Sequence, residues 1–331
     1  MILPNNSNIA IIAPSSGAAS MFPGVFNSGL RNLKSMGYKL TVFPTCEMTS
    51  DELYKNPEVR ANDINSAFAD SSIDGIICSI GGYESIRILK YLDIDTIKNN
   101  PKPIMGFSDA TTFLCYLSQL GLKTFYGPSV MAGFAQIHND TSYVDRIKSF
   151  MQDEWTKYQW KASTYYVNGY KDWFKHDGSF LDKQDASDSF ETFGQSFSGE
   201  LWGGCIEVLE FMKGTKYWPK TEFFKDKVLF FETSEEKPSP DQVGYMLRNY
   251  AIQGILEQVS GIAFGRCKDY TKEEYNRLKE IVLDIYSVEL KIPGNIVFNI
   301  DVGHTDPKWI LPLGAVATFD FDKKVCLIEK V

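Results

Sequence analysis

Short apolar runs alternate with stretches of helical spacing through the first part of the chain. The run Asn8 to Ala13 is typical of a strand buried on both faces of a parallel sheet. Apolar residues then follow helical spacing from Phe22 to Met36. Further strands are predicted at 39–43, 75–80 and 103–107, and further helices at 58–69, 84–92 and 109–120. This βα repetition predicts a doubly wound parallel sheet, Rossmann- or flavodoxin-like, with ligand sites at the carboxyl ends of its strands.

Regular patterns return near residue 199. Helices are predicted at 205–212, 240–253 and 272–286, strands at 227–231, 259–264 and 296–300, and a final hairpin from 311–320 and 325–329. The stretch before them is rich in Tyr, Trp, Lys, Asp and Ser and has poor periodicity. We therefore predict an N-terminal α/β domain over 1–150, an irregular aromatic-rich connection over 151–198, and a C-terminal α/β domain with a mixed sheet over 199–331.

Composition and charge narrow the function classes. The 331 residues suit about two domains. The net charge of −8, without a basic block, disfavours binding to a nucleic-acid backbone. Apolar runs are far shorter than the ~20 residues of a membrane-spanning helix, so no membrane partner is expected. The N-terminus lacks a secretory pattern, and six widely spaced cysteines indicate buried thiols. We expect a cytoplasmic protein.

The chain has three histidines, His138, His176 and His304. A three-histidine metal site would use all of them, and neither HExxH nor CxxC is present, so no metal is predicted. The full GxGxxG fingerprint is also absent, which disfavours a dinucleotide oxidoreductase, and no cofactor is predicted. His138 and His176 lie in hydrophilic segments and are predicted to be solvated surface residues.

Ile104-Met-Gly-Phe-Ser-Asp-Ala110 is the first candidate for chemistry. Ser108 lies in the sharp turn between a predicted strand and a predicted helix, as in a nucleophile elbow. The small residues Gly106 and Ala110 fit the crowding of such a turn. The N–H of Asp109, at the helix start, can stabilise an oxyanion. Ser108 could instead be the N-cap of the helix.

Gly81 and Gly82 follow the preceding predicted strand. Two glycines allow close backbone approach and leave N–H groups available, as an oxyanion hole beside Ser108 requires. A plain turn or a nucleotide-phosphate loop would have the same sequence, so this dipeptide does not decide between them.

His304 follows an apolar strand in Asp301-Val-Gly-His-Thr-Asp-Pro307. A serine nucleophile needs a base, and the base needs an acceptor that fixes its tautomer. Glu232 ends a predicted buried strand and fits that role. His304 could alternatively be a turn residue hydrogen-bonded to Asp301 or Asp306. Glu235 and Glu236 are interpreted as a solvated pair.

The aromatic residues around Trp173 admit two interpretations. Tyr and Trp offer rigid area for stacking, which suits a substrate-facing loop. They could equally pack the connection onto the domains.

Taken in order, these motifs resemble those of the S66 serine peptidases, the LD-carboxypeptidase family that includes microcin C self-immunity peptidases. The resemblance covers nearly the whole chain. It is carried by Ala13-Pro-Ser-Ser16, Ser79-Ile-Gly-Gly82, Gly106-Phe-Ser-Asp109, Tyr126-Gly-Pro-Ser129, Leu201-Trp-Gly-Gly204, Phe231-Glu-Thr-Ser234 and Val302-Gly-His-Thr-Asp-Pro307.

The resemblance implies a two-domain homodimer with a Ser-Glu-His triad in chain order. Ser108 would be the nucleophile, Glu232 the orienting carboxylate and His304 the general base. The N–H groups of Gly82 and Asp109 would form the oxyanion hole.

The resemblance also implies a substrate class, within which two branches stay open. We favour the immunity branch, which cleaves aminoacyl-nucleotide amides, over removal of the terminal D-alanine from murein tetrapeptides. Gly81 and Trp173 are expected to contact the small peptide or aminoacyl-nucleotide substrate. A non-catalytic nucleotide- or sugar-binding protein is the alternative from another class.

Overall fold

The structure, a computed structural model, describes residues 2–330. Its contacts divide the chain into two compact units. Unit 1 takes the chain up to Trp155, then Gly169–Asp182 and Pro307–Pro312. Unit 2 takes Thr156–Asn168, Lys183–Asp306 and the chain from Leu313 onward. Each unit has its own main sheet, in keeping with the predicted two-domain α/β class.

Unit 1 alternates strands and helices. Its elements in the first 155 residues are β1 (Asn8–Ile12), α1 (Ala18–Met21), α2 (Pro23–Ser35), β2 (Lys39–Val42), α3 (Ser50–Lys55), α4 (Pro57–Ala69), β3 (Gly75–Cys78), α5 (Ile94–Asn99), β4 (Ile104–Gly106), α6 (Thr111–Gln119), β5 (Thr124–Tyr126) and α7 (Thr141–Gln152). The paired strands among β1–β5 run parallel. The segment predicted as a helix over 84–92 is a 3-10 helix over Ser85–Tyr91.

Unit 2 is built on a larger mixed sheet. Its elements up to residue 300 are β6 (Lys157–Lys161), β7 (Tyr165–Tyr166), β8 (Gln184–Asp185), β9 (Glu191–Phe193), β10 (Phe197–Cys205), α8 (Ile206–Glu210), β11 (Val228–Glu232), α9 (Pro240–Ile252), β12 (Gly261–Gly265), α10 (Lys272–Asp284) and β13 (Ile296–Ile300). Strands β10 to β13 form a parallel core, and β9 pairs antiparallel with β13.

The end of the chain contributes strands to both units. They are β14 (Leu311–Pro312), β15 (Val316–Asp320) and β16 (Val325–Glu329). The sheet of unit 1 has the order β14-β5-β4-β3-β1-β2, and that of unit 2 has the order β6-β16-β15-β10-β11-β12-β13-β9. β15 and β16 form the predicted hairpin, whereas Leu311 and Pro312 pair with β5 in unit 1. The prediction of one strand over 311–320 is therefore wrong, because Gly314, at a φ of +84°, lies in a turn between the two short strands.

Residues 156–198 contain more strand than their sequence pattern indicates. β6 pairs with β16, β7 pairs with β8, and β9 lies at the edge of the large sheet. Their short, half-exposed faces leave little hydrophobic periodicity, so pairing with distant strands determines their structure.

The residues predicted to form the site lie at the carboxyl ends of strands in the two sheets. β3 and β4 are neighbours in unit 1, so the glycine loop, Gly81-Gly82, and Ser108 follow adjacent parallel strands. In unit 2, β11 ends at Glu232, and all five of its residues are buried.

Candidate active site

Ser108 lies in a strained turn directly after β4. Its φ is +61°, in the left-handed region that non-glycine residues rarely adopt. A 3-10 turn over Ser108–Ala110 leads into α6. Strained backbone of this kind costs about 1–3 kcal/mol and persists only where the surroundings hold it. The turn has the conformation expected of a nucleophile elbow.

Neighbouring strands and small residues hold the turn. The backbone N–H of Ser108 donates to the Tyr126 hydroxyl at 3.0 Å. A Cβ at Gly106 would lie 2.8 Å from the Cys78 sulfur and 3.0 Å from the Ala110 Cβ, so a larger residue would not fit. The N-cap positions of the 3-10 turn and of α6 are Phe107 and Ala110, so Ser108 does not cap the helix as the alternative interpretation required.

The glycine loop lies against this turn. A Cβ at Gly81 would stand 2.9 Å from the Ser108 Oγ and 3.4 Å from the backbone nitrogen of Asp109. On its other side the carbonyl of Gly81 accepts a hydrogen bond from the Ser16 hydroxyl at 2.8 Å. A Cβ at Gly82 would meet the Cβ atoms of Ser15 and Ser16. The loop therefore lies between the Ser15-Ser16 segment and the turn that carries Ser108.

Asp109 joins the glycine loop to the turn. Its fully buried carboxylate accepts hydrogen bonds from the backbone N–H groups of Glu84 and Ser85, at 3.1 and 2.9 Å. The Ser85 hydroxyl donates back to the Asp109 carbonyl. Burial raises the pKa of the Asp109 carboxyl, and the hydrogen bonds from Ser85 and Glu84 oppose that rise. The side chain of Asp109 thus positions the loop.

Arg60 is a supporting residue that the sequence did not single out. Its buried guanidinium donates to the carbonyl of Ser15 at 2.9 Å and lies 3.6 Å from the Glu84 carboxylate. Burial lowers its pKa, and the charges of Glu84 and Asp109 act in the opposite direction. One cation therefore supports both segments that flank the glycine loop. Its position on α4, within a helical pattern, carries no motif that would reveal this role.

In unit 2, Glu232 and His304 form a buried pair. The Nδ1 atom of His304 lies 2.6 Å from Oε2 of Glu232; His304 is 8% exposed and Glu232 is 0% exposed. Gly303, at a φ of +104°, makes this approach possible, because a Cβ there would lie 2.4 Å from the same carboxylate oxygen. Of the alternative partners predicted for His304, Asp301 accepts the backbone N–H of Ser163 instead. This is the base–acceptor geometry that fixes an imidazole tautomer.

Glu235 contacts the other ring nitrogen of His304. Its Oε2 lies 3.0 Å from Nε2, so the interpretation of Glu235 as a merely solvated residue is wrong. Burial alone would lower the pKa of His304, but Glu232 and Glu235 raise it to about 10. In turn, the hydrogen bond from His304 lowers the pKa of Glu235 to about 2. The residue lies in an exposed loop, and sequence alone does not distinguish it from Glu236.

Trp173 lies in an aromatic cluster of unit 1. Its ring is 5.5 Å from that of Phe22 and stacks on Tyr170 at 5.8 Å. Its indole N–H is buried without a hydrogen-bond partner among the described residues. Lys308, which no predicted motif includes, is buried beside this cluster: its ammonium donates to the Tyr170 hydroxyl at 3.1 Å and lies 5.1 Å from the Phe107 ring centre.

All six cysteines are buried thiols. Within residues 2–330, no group of His, Cys, Asp and Glu side chains could hold a metal ion. None of the helices in that range has the length and apolar character needed to cross a membrane. His138 and His176 are both exposed.

Comparison with known proteins identifies the family to which the chain belongs. Residues 9–127 match the LD-carboxypeptidase N-terminal domain, and residues 198–319 match the LD-carboxypeptidase C-terminal domain. The chain therefore belongs to the LD-carboxypeptidase family, peptidase family S66, as its motifs indicated.

Relatives of two kinds cover most of the chain. A Bacillus subtilis protein named as a murein peptide carboxypeptidase is 26% identical over 333 residues, covering 99% of this chain and 93% of the relative. The Escherichia coli microcin C7 self-immunity protein MccF is 27% identical over 311 residues, covering 90% of this chain and 86% of MccF.

Solved structures of this family share the fold. An MccF-like protein from Streptococcus pneumoniae, in complex with AMP, superposes with a TM-score of 0.87 at 28% identity over 98% of this chain and 99% of that one. MccF in complex with aspartyl sulfamoyl adenosine gives a TM-score of 0.85 at 22% identity over 100% of this chain and 99% of that one. The second match supports the fold alone.

Proposed function

We propose that the protein is a serine hydrolase that cleaves an amide bond through Ser108, His304 and Glu232. The observation that carries this proposal is the buried Glu232–His304 pair, which presents a histidine oriented through Nδ1. The strained turn at Ser108 supports it from unit 1, since such a turn directs a serine side chain out of the end of a strand.

In the acylation step, the Ser108 Oγ attacks the amide carbonyl carbon while its proton passes to Nε2 of His304. Glu232 stabilises the imidazolium through Nδ1–H. The N–H groups of Gly82 and Asp109 bind the oxyanion, and one such donor contributes about 2.7–4 kcal/mol in comparable sites. The C–N bond then breaks, and the proton on Nε2 passes to the leaving nitrogen.

In the deacylation step, water attacks the acyl-serine and gives a proton to His304. The ester bond to Ser108 breaks, and the proton returns to Oγ, which releases a carboxylic acid and regenerates the enzyme. For each water consumed the products are one carboxylic acid and the released nitrogen compound, which is a sulfamate or phosphoramidate for an aminoacyl-nucleotide and an amine for a peptide. No metal or cofactor takes part in this scheme.

For the substrate we favour an aminoacyl-nucleotide amide, with Gly81 and Trp173 as contacts. The AMP in the Streptococcus pneumoniae relative supports a nucleotide portion, and the stacking area around Trp173 suits a base. Murein tetrapeptide is the second candidate, supported by the name of the Bacillus subtilis relative. We also propose that the protein is a homodimer, on the strength of the family resemblance, and that it is cytoplasmic, as the buried thiols support.

The test compares wild type with Ser108→Ala on aspartyl sulfamoyl adenosine and, separately, on murein tetrapeptide. We expect kcat to fall by about 10⁴-fold or more, because loss of the nucleophile removes the covalent route. A serine-directed phosphonate should label the wild type at Ser108 only.

Ser149→Ala is the matched control, because this substitution also removes a serine hydroxyl from unit 1, where Ser149 lies in α7. It should keep wild-type turnover and labelling. Ser108→Ala with unchanged turnover would refute the mechanism. Turnover of murein tetrapeptide alone would exclude the aminoacyl-nucleotide branch, and absence of both labelling and turnover would favour a binding protein.

A further inference from the structure

The two carboxylates that contact His304 differ in exposure. Glu232 is completely buried, whereas the Glu235 side chain is about half exposed, at 53%. Glu232 ends β11, and Glu235 lies in the loop that follows it. Glu235 therefore has a solvent-exposed side toward which it can turn away from Nε2, whereas Glu232 has none.

Other charged and titratable groups of unit 2 interact with the two carboxylates that contact His304. Lys268, after β12, acts electrostatically on Glu235 but forms its ion pair with Asp269. Glu207 on α8 accepts the N–H and hydroxyl of Ser234 and adds negative charge near Glu232. The thiols of Cys205 and Cys267 interact electrostatically with Glu232. Asp301 and Asp306 flank His304 in the sequence, and the Asp301 carboxylate accepts the backbone N–H of Ser163.

This contact excludes catalysis while it lasts. An ionised carboxylate only accepts hydrogen bonds, so a His304 ring that contacts two of them through its two nitrogens donates from both and is an imidazolium. An imidazolium has no lone pair with which to accept the Ser108 proton. Glu235 must therefore leave Nε2, and the extra proton must pass to solvent, before His304 can act as a base.

We propose that Glu235 holds His304 in an idle, protonated form and releases it to pair with an ammonium group that the substrate carries next to its scissile carbonyl. This inference rests on the proposed function and adds a specificity-determining residue to it. The substrate class it selects is an amide whose acyl part has a free α-amino group.

The chemistry of an aminoacyl amide places that ammonium within reach. The α-nitrogen lies about 2.5 Å from the carbonyl carbon. The attacked carbon lies about 3 Å from the nucleophile, which in turn must be within hydrogen-bond distance of Nε2. A carboxylate that already contacts Nε2 can turn from the imidazolium to this second cation. An N-acylated substrate has no such cation and leaves the Glu235–His304 contact in place.

The first half of the experiment is an NMR titration of the histidines in wild type, Glu235→Gln and Glu236→Gln. Three histidines give three signals, and the exposed His138 and His176 serve as internal references. The His304 midpoint should lie near 10 in wild type and fall by about one unit or more in Glu235→Gln. Glu236→Gln removes an equal charge from the same loop and should leave the midpoint in place.

The second half measures binding without turnover, in a Ser108→Ala background at pH 7. The probes are alanyl sulfamoyl adenosine and its N-acetyl derivative, titrated calorimetrically. We expect at least about tenfold tighter binding of the free amine, which corresponds to about 1.4 kcal/mol. Adding Glu235→Gln should reduce that ratio to less than about threefold, and adding Glu236→Gln should preserve it.

Several results would overturn the inference. An unchanged His304 midpoint in Glu235→Gln shows that the contact does not control the proton. Equal binding of the two probes, or binding of neither, shows that no ammonium replaces the imidazolium. These outcomes differ from a failure of the proposed function, which would appear as full turnover by Ser108→Ala whatever residue stands at position 235.

Discussion

The turn that carries Ser108 and the cluster around His304 are held by different forces. The turn is held by backbone geometry: Ser108 has a positive φ, its N–H donates to the Tyr126 hydroxyl, and Gly81 lies against its side chain. The cluster is held by side-chain charge, because the imidazole of His304 lies between the carboxylates of Glu232 and Glu235.

The difference predicts how each region fails. A site that is shaped by its backbone is already formed before a ligand binds. A substitution that adds atoms to it should therefore reduce activity more than a substitution that changes its charge. A charge-built site depends on protonation, so a substitution that keeps the shape and removes the charge should damage it. Substitutions at Glu232, Gly81 and Ser108 test this contrast, and their expected effects decrease in that order.

Glu232→Gln should reduce kcat by about 10³–10⁴-fold, because a neutral amide neither stabilises the imidazolium nor fixes the correct tautomer. The two side chains have nearly equal volume, so the protein should remain folded. Steady-state kinetics on the substrate that the wild type cleaves provides the measurement.

Glu191→Gln is the control for Glu232→Gln, since it makes the same carboxylate-to-amide change in unit 2, where Glu191 pairs with Lys279. It should retain wild-type kcat. A Glu232→Gln enzyme within tenfold of wild type would mean that charge does not hold the histidine cluster.

Gly81→Ala should reduce kcat by about 10²-fold, because misplacement of a reacting group by about 1 Å has effects of this size. The new Cβ would stand 2.8 Å from the Ser108 Cβ and 2.9 Å from its Oγ, so the nucleophile must move. Gly24→Ala provides the comparison, as a Cβ at Gly24 in α2 meets nothing within 4 Å. Equal activity of the two variants would show that the turn tolerates added atoms.

The contrast also explains what the sequence could predict. A sharp turn at Ser108 could be predicted from local features of the sequence: a strand, small residues at 106 and 110, a glycine pair after the neighbouring strand, and a helix. Those features alone left open whether Ser108 is a nucleophile or a helix cap. The doubly wound sheet was also predictable, since buried parallel strands are continuous apolar runs.

The sequence contains fewer features that predict the charged cluster around His304. Glu232 could be proposed because it ends a buried strand, but the distinction between Glu235 and Glu236 depends on which carboxylate faces His304, a residue 69 positions further along the chain than Glu235. Arg60 and Lys308 were missed because a cation in a helical or turn pattern resembles a solvated one until its burial is known. β14 was misassigned because its pairing with β5 is a long-range contact.

The smallest effect concerns stability, and it tests the strain in the turn directly. Ser108→Gly and Ser108→Ala both lack the nucleophile, but only glycine adopts a φ of +61° without a Cβ clash. Ser108→Gly should therefore be more stable than Ser108→Ala by about 1 kcal/mol, measured as a higher urea midpoint. At Ser149, within α7, the order should reverse, because alanine is the better helix former by about 1 kcal/mol. If alanine is the more stable substitution at both positions, the turn stores no strain, and its rigidity must come from its hydrogen bonds to Tyr126 and its neighbours.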